Sequence, residues 1–469
     1  MLPMVEIPEI VQHYAPFFTS VFSPDAFKQF QRYLSGLIVS ENKTVAGINR
    51  IFVIDIRNQS SLNRLLNDSP FSVKDLNSAR LSLLESIPGT QMKRKGVLSL
   101  DDTLLTHYGR HFEKIAYLYD HVERHYVWAH NLVNLHYSDD QTDYPVKFTL
   151  WEPADVKAME DGLIAAGIKI NKGKYVLKEE DPKKWRNYLL NLWRRHQNKP
   201  AVQKTYESKL ILGQQMLAEF YSEHPDLKLP VTFDNWYTQP SFCRYLDKTL
   251  KVPFVGTLSD EDQVVLETGQ KRLDEFDRQL REEHDEAIKA GKSPVFTKIT
   301  IPYKGDKETY YSYCKILNIH NFGKQRLVIN HGKKDLSDTA KLYITNKLNW
   351  QAAGITRIRR HRWPVEVYHE EGKEEGLDQY QVRDFNAILR HIALVSVTYS
   401  LLRAAQHDNA LFHKLQQTVE TKLDGSAASW RRNTEAYSLW ALATFIATGI
   451  SQGQSLHSIM APLMSAVSY

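Results

Sequence analysis

Apolar positions recur with helical spacing through the first ninety residues. Ser23-Pro24-Asp25 supplies a cap and first turn ahead of FKQFQRYLSGLIV, and KTVAGINRIF, SSLNRLLND and VKDLNSARLSLLES follow as further helices. The pattern predicts a helical bundle. Its Lys43, Arg50, Arg64, Lys74 and Arg80 are placed as in a DNA-reading head, although spaced cations on polar helix faces serve equally as plain solvation.

After Lys93-Arg94-Lys95-Gly96 the period changes. VLSLDD is a short apolar run ending in acids, and IAYLYD and HYVWAHNLVNLHY are rich in aromatic and β-branched residues, which predicts three adjacent strands. The first run is thus a strand and the next two a meander, and a helix follows from Lys204 to Tyr221, in which Leu210, Met216, Leu217 and Phe220 keep helical spacing. LKLPVTFD is a second apolar run closing on an acid. Residues 260–291 are highly charged and read as a solvated helix. TKITIPY, ETYYSYCKILNI, KQRLVIN and KLYIT form a β-rich stretch punctuated by Lys304-Gly305-Asp306 and Gly332. The last hundred residues return to helix, from RWPVEVYHEEGKEE through FNAILRHIALVSVTYSLLRAAQ.

A chain of 469 residues is too long for one ordinary core, and 42% apolar residues suffice to fill two or three. The 60 Lys and Arg against 55 Asp and Glu permit a polyanionic partner without requiring one. Cys243 and Cys314, far apart, exclude a disulfide framework and a cysteine-rich zinc site, and point to a reducing compartment, the cytoplasm. The start MLPMVEIPEIVQHY lacks the order of a signal peptide. The apolar stretches Ile392 to Leu402 and Leu439 to Ile450 fall short of the roughly 20 residues a membrane span needs, so both read as buried helices and no membrane is expected. His107, His111, His121, His125 and His130 cluster in sequence but match no familiar zinc spacing.

The chemistry lies in the acids that end apolar strands, because a strand terminus places a carboxylate at the rim of a sheet, where several can converge on one divalent cation. Leu98-Ser99-Leu100-Asp101-Asp102-Thr103 and Val231-Thr232-Phe233-Asp234 are the two candidates. Either Asp, taken alone, is as well explained as the cap of a turn. A third segment changes the balance: in Arg362-Trp363-Pro364-Val365-Glu366-Val367-Tyr368-His369-Glu370-Glu371-Gly372-Lys373, Pro364 fits a first helical turn, and Glu366, Glu370 and Lys373 then share one face. Ahead of it, Arg357-Ile358-Arg359-Arg360-His361-Arg362 is a basic run suited to phosphate contact.

The order Asp, Asp, then Arg-Trp-x-x-Glu with Lys seven residues on resembles the bacterial insertion-sequence transposases of the three-carboxylate type, over nearly the whole chain. Asp101-Asp102-Thr103 matches the Asp-x-Thr that ends the family's first strand, Asp234 matches the acid ending its fourth, and Arg362, Glu366 and Lys373 match its signature helix. A phrase like LYITNKLNW precedes that helix in the family too. One departure is Arg359, which stands where the signature has Tyr; an Arg at that position offers a stronger phosphate contact. Asp101 and Asp102 point to opposite sides of a strand, and the Thr two residues after Asp101 favours Asp101.

The resemblance implies a mixed α/β protein with a ribonuclease-H-like catalytic core. A helical DNA-binding domain would occupy residues 1–92 and the first part of the core 93–258. The charged helix and β-rich insertion would cover 259–350, the catalytic helix and end of the core 351–406, and a C-terminal helical region 407–469. It implies that Asp101, Asp234 and Glu366 hold two Mg²⁺ or Mn²⁺ ions, with Asp102 and Glu370 as further catalytic candidates. Water would be the first nucleophile and the freed 3′-OH the second. Arg362, Lys373, Arg359 and Arg360 would contact phosphates, and Trp236 and Trp363 would stack on an unpaired base unless they pack in the core. The partners would be double-stranded DNA, as transposon ends and target, and a second copy of the chain, in a bacterial cytoplasm at the nucleoid. Rival readings are a domesticated DNA-binding protein that has lost cutting, a ribonuclease-H-like nuclease that does not join strands, and a two-carboxylate glycoside hydrolase.

Overall fold

The N-terminal segment folds where helical spacing and caps coincide: α1 (Glu9–Tyr14), α2 (Pro24–Val39), α3 (Val45–Arg50), α4 (Ser60–Asn67) and α5 (Val73–Ser86). The computed structural model describes residues 2–419 and 426–465. Ser23 caps α2 by accepting the Ala26 N–H, with Pro24 in the first turn, and Ser72 caps α5 through the Asp75 N–H.

Strands follow as the period shortens: β1 (Val97–His107), β2 (Ala116–Asp120), β3 (His125–Ser138) and β4 (Asp143–Trp151). The expected three strands are present, and β4 is a fourth. Between β4 and the expected helix, where the sequence pattern predicted no element, α6 (Val156–Ala165), α7 (Leu177–Glu180), α8 (Pro182–His196) and α9 (Pro200–Gln203) close a small core of their own. Trp185, Leu189 and Trp193, one turn apart on α8, meet Met159, Leu163 and Val202 in that core. Two of these helices, α7 and α9, have four residues each, too few to show a helical period.

Next come α10 (Lys209–Glu223), β5 (Val231–Phe233), α11 (Pro240–Arg244), β6 (Phe254–Thr257), β7 (Gln263–Leu266), β8 (Gly269–Arg272) and the charged α12 (Leu273–Lys289). The β-rich stretch supplies β9 (Thr297–Tyr303), β10 (Asp306–Ile319), β11 (Gly323–His331) and β12 (Lys341–Thr345). Helices α13 (Ala352–Arg360), α14 (Trp363–Glu374), α15 (Phe385–Ala405), α16 (Asn409–Val419), α17 (Ala427–Ser451) and α18 (Leu456–Ser465) complete the described chain. Of the predicted C-terminal region 407–469, residues 420–425 and 466–469 lie outside the described residues.

All twelve strands belong to one sheet, in the order β2-β3-β1-β5-β6-β12-β11-β10-β7-β8, with β4 on β3 and β9 on β10. Strands β1 to β4 pair antiparallel, β5 lies parallel to β1, and β6 lies parallel to β5. The β-rich insertion joins this sheet through the antiparallel pair β12 and β6.

Helix α15 is the spine of the helical layer. It is the one described helix whose 21 residues are long and apolar enough to cross a membrane, but 78% of its apolar window is buried inside the protein. The hydroxyls of Ser396, Thr398 and Ser400 donate to the carbonyls one turn back, so these three buried hydroxyls are satisfied within the helix. The N-terminal helices do not form a separate core; their apolar faces join that of α15 and the sheet in one cluster.

Two candidates for DNA contact are thereby lost. Lys43 is buried with its ammonium donating to the Leu37 and Ile38 carbonyls, and Arg80 is buried on Ser400, Asn77 and the Val146 carbonyl. Arg50, Arg64 and Lys74 stay exposed. The expectation for Leu439–Ile450 is also corrected. This is the second half of α17, where Leu439, Trp440 and Ile450 are exposed because only one side is covered, by Val53 and Leu463 with their neighbours.

Gly376 ends α14. With φ of 98° it lets the Leu377 N–H reach the Gly372 carbonyl and its own N–H reach that of Lys373, the double bond that closes a helix through a left-handed residue. A Cβ there would lie 2.6 Å from the Lys43 Cβ. Gly376→Ala is expected to cost on the order of 1–3 kcal/mol, measured as a lower urea midpoint with an unchanged slope.

Candidate active site

The site is set by strand register. In the parallel pair, Leu98, Ser99 and Leu100 of β1 lie beside Val231, Thr232 and Phe233 of β5. Asp101 is the next residue within β1, which runs on to His107 and so does not end at the acids as expected, and Asp234 is the first residue past the end of β5, so the two lie at the same level of the sheet. Adjacent residues on a strand face opposite ways, which separates Asp101 from Asp102.

Asp102 is consumed on the far face. It accepts from Tyr237 Oη at 2.8 Å, Asn131 Nδ2 at 2.8 Å and Lys209 Nζ at 2.8 Å. Lys209 also lies 4.0 Å above the Trp236 ring, so a cation already covers one face of that half-exposed indole.

Asp101, in contrast, faces α14. Its carboxylate accepts from Arg362, whose other terminal nitrogen donates to Glu366 one turn into the helix. Arg362 thus lies between the first acid and the third. Burial pushes the Asp101 carboxyl up to about 7; the Arg362 charge opposes that rise, and the negative charges of Asp234 and Asp102 add to it. Asp234 also caps its own turn through the Tyr237 N–H, so its turn-capping role coexists with its place beside Asp101.

Helix α14 is held in place by bonds on both sides of this cluster. Ser99 Oγ donates to the carbonyl of His361, and Ser138 Oγ meets His361 Nδ1 at 2.9 Å. Asn134, directly opposite Asp101 across β1 and β3, meets His369 Nε2 at 3.0 Å. Burial lowers His361 to about 4 and His369 to about 3, so both rings are neutral struts near neutral pH. Ser99, Asn134, His361 and His369 were not foreseen as positioning residues. The only available signal was that polar residues interrupt otherwise apolar strand and helix faces.

The remaining candidates divide. Pro364 occupies the first turn of α14 as expected, Glu370 is exposed, and Lys373 is half-buried in the last turn. Arg359 donates to Thr257 Oγ1 on β6 and lies 5.8 Å from the Tyr343 ring; burial lowers its pKa to about 10, leaving it cationic beside Asp101 and Asp234. Arg360 turns instead to the β-rich insertion, paired with Glu308 and stacked at 4.6 Å over Tyr303. Trp363 is half-exposed at the start of α14 and not packed in the core.

Among the described residues, no three His, Cys, Asp or Glu side chains stand together as a ready metal cage. The donor chemistry nonetheless fits a hard divalent cation. Arg362 bridges the carboxylates of Asp101 and Glu366, and Asp234 is near enough to Asp101 to raise its pKa, so the spot between Asp101 and Glu366 already accommodates positive charge.

The family model for DDE superfamily endonucleases matches residues 16–278, more than half of the chain. The chain belongs to this family. A search of curated proteins returns no match. The segment matched to the DDE endonucleases contains Asp101 and Asp234 and ends before Glu366, so the third acid rests on the geometry around Arg362. Membership makes this a nuclease-type enzyme of a superfamily that uses divalent metals.

A carboxyl with a pKa near 7 in the folded chain against 3.8 outside it penalises folding when ionised. That penalty is absent below about pH 4 and grows as pH rises to 7. In metal-free buffer, Asp101→Asn is therefore expected to raise stability at pH 8 by on the order of 1–3 kcal/mol and to change it little at pH 4. Thermal unfolding of both proteins at the two pH values checks this; an equal effect at both would contradict it.

Proposed function

We propose that this DDE endonuclease is a DNA transposase of the bacterial insertion-sequence type. It would bind the ends of its mobile element as a homodimer, cut phosphodiester bonds there, and join the freed 3′-OH ends to target DNA. The observation that carries the reading is the level placement of Asp101 and Asp234 on parallel strands, with Glu366 tied to Asp101 through Arg362. The strand order β4-β3-β1-β5-β6, antiparallel through β1 and parallel beyond it, supports a ribonuclease-H-like core. The insertion and the cationic bracket on the signature helix favour strand joining over simple cutting.

Asp101, Asp234 and Glu366 would hold two Mg²⁺ or Mn²⁺ ions, which supply activation of the attacking oxygen and stabilisation of the leaving 3′ oxygen. The chain's own residues do the rest. Arg362 exchanges its two carboxylates for the phosphate beside the cut, because a guanidinium binds phosphate in the same bidentate manner. Lys373 and Arg359 flank it as point and fork donors. Ser99, Asn134, His361 and His369 keep α14 in register with β1, so Glu366 is presented without reorganisation. Trp363 offers a half-exposed ring to a base unpaired near the cut. Such DNA-directed chemistry places the enzyme in the cytoplasm, at the nucleoid.

DNA carrying the flanking ends of the protein's own gene should be cut in Mg²⁺ or Mn²⁺ by the wild type. Asp234→Ala and Glu366→Ala should abolish cutting while retaining end binding within about threefold. A cutting Glu366→Ala protein would remove Glu366 from the site. Arg362→Ala and Lys373→Ala should each weaken DNA binding and reduce the salt slope by roughly one.

A further inference from the structure

Beyond Asp101 the sheet continues as a hairpin that the active site does not use. Strand β1 runs antiparallel to β3 from Val97 opposite Ser138 to His107 opposite Trp128, with Asp101 opposite Asn134. Strand β2 then pairs Tyr117 with Trp128 and Tyr119 with Tyr126. Counting by twos from Asp101 and Asn134, all four aromatic residues fall on the sheet face that carries the first catalytic acid. They stand roughly 20–26 Å from it, six to eight residues along β3 at about 3.3 Å each.

The rings form a ladder: Tyr117 and Tyr126 are stacked at 5.3 Å, Tyr117 and Trp128 lie at 5.3 Å, and Tyr119 and Tyr126 at 5.2 Å. Cross-strand aromatic pairs stabilise a hairpin, but that role does not require the rings to face water. Here Tyr117 is 57% exposed, Tyr119 41% and Tyr126 43%. A cation is also delivered to them. Lys183 of α8 donates to Tyr126 Oη at 3.2 Å and lies 5.2 Å from that ring. From Pro182 to His196 helix α8 has no acidic residue; Lys183, Arg186 and Arg194 share one side of it and are exposed, while Lys184 is paired with Asp181, the cap of the helix.

We propose that the tyrosine ladder of the β2–β3 hairpin and the basic face of α8 form a binding surface for unpaired DNA strand. Rings with exposed faces accept bases in any order, and adjacent lysines and arginines follow the backbone. Base pairs in a closed duplex do not present such faces, so the occupant is single strand. The surface serves to hold a strand freed by cutting. The proposal rests on the DNA-cutting reading of Asp101, Asp234 and Glu366, and deepens it.

The test is fluorescence anisotropy with the full chain in EDTA. The probes are a labelled mixed-sequence single strand of roughly 25 nucleotides and the duplex of the same sequence. Tyr119→Thr/Tyr126→Thr keeps strand propensity while removing two rings, and should weaken single-strand binding about tenfold or more while leaving duplex binding within about threefold. Lys183→Gln, which leaves the hairpin intact, should lower the single-strand salt slope by about 0.7. Unchanged single-strand affinity in both variants, or equal losses on single strand and duplex, would overturn the proposal. If circular dichroism shows that the tyrosine variant has lost its hairpin, Lys183→Gln decides alone. Because binding is read without metal, a wild type that binds but never cuts would count against the transposase reading and leave this result standing.

Discussion

The parallel pairing of β1 with β5 is the constraint on which the site depends. It spans three residues on each strand, yet it places Asp101 and Asp234 side by side at one level of the central sheet. Two carboxylates so placed repel each other, and burial raises the cost of ionising the first. The chain meets that cost with Arg362, which satisfies Asp101 and Glu366 together. The same guanidinium therefore stabilises the folded protein without DNA and is positioned to contact it. A slip of one residue in the β1 register would bring Asp102 to this face and send Asp101 toward Lys209.

The reach of the sequence follows from where information is local. VTFD and the Arg-Trp-Pro-x-Glu segment could be read because one is a strand end and the other a helix start, where a few adjacent residues fix the geometry; VLSLDD was expected to end its strand, but β1 runs on to His107 and Asp101 sits within it because the pairing with β3 continues. Composition and spacing also located α12, the β-rich insertion and the first helices. What could not be read was long-range. Lys43 and Arg80 look solvated in sequence, and only the docking of the N-terminal helices around α15 buries them. Leu439–Ile450 looks like a core segment, and it is half-exposed because too little of the chain covers it.

The catalytic candidates show the same division. Parity along a strand made Asp101 and Asp102 alternatives; the choice needed Tyr237, Asn131 and Lys209, which come from three different elements. The basic run before α14 looked like one phosphate-binding patch. Its members instead face three ways: Arg357 toward Asp140, Arg359 toward β6 and Arg360 toward Glu308. Helical geometry separates successive residues by about 100°, so a continuous run of charge on a helix cannot act as one surface. Arg362 escapes this because it lies at the start of the next helix, one turn before Glu366.

The helices α6 to α9 give the molecule its other asymmetry. They enter between β4 and α10, carry a separate core and leave a basic face outside. A small core of this kind adds little to the stability of the main body, and neither Asp101 nor Glu366 needs it for support. Its position makes sense once Lys183 is seen against Tyr126, because the module brings positive charge to the one hairpin that runs past the catalytic edge. The candidate catalytic acids are thus held by the central sheet, while α6 to α9, on the proposal made above, would extend the surface offered to a long polyanion.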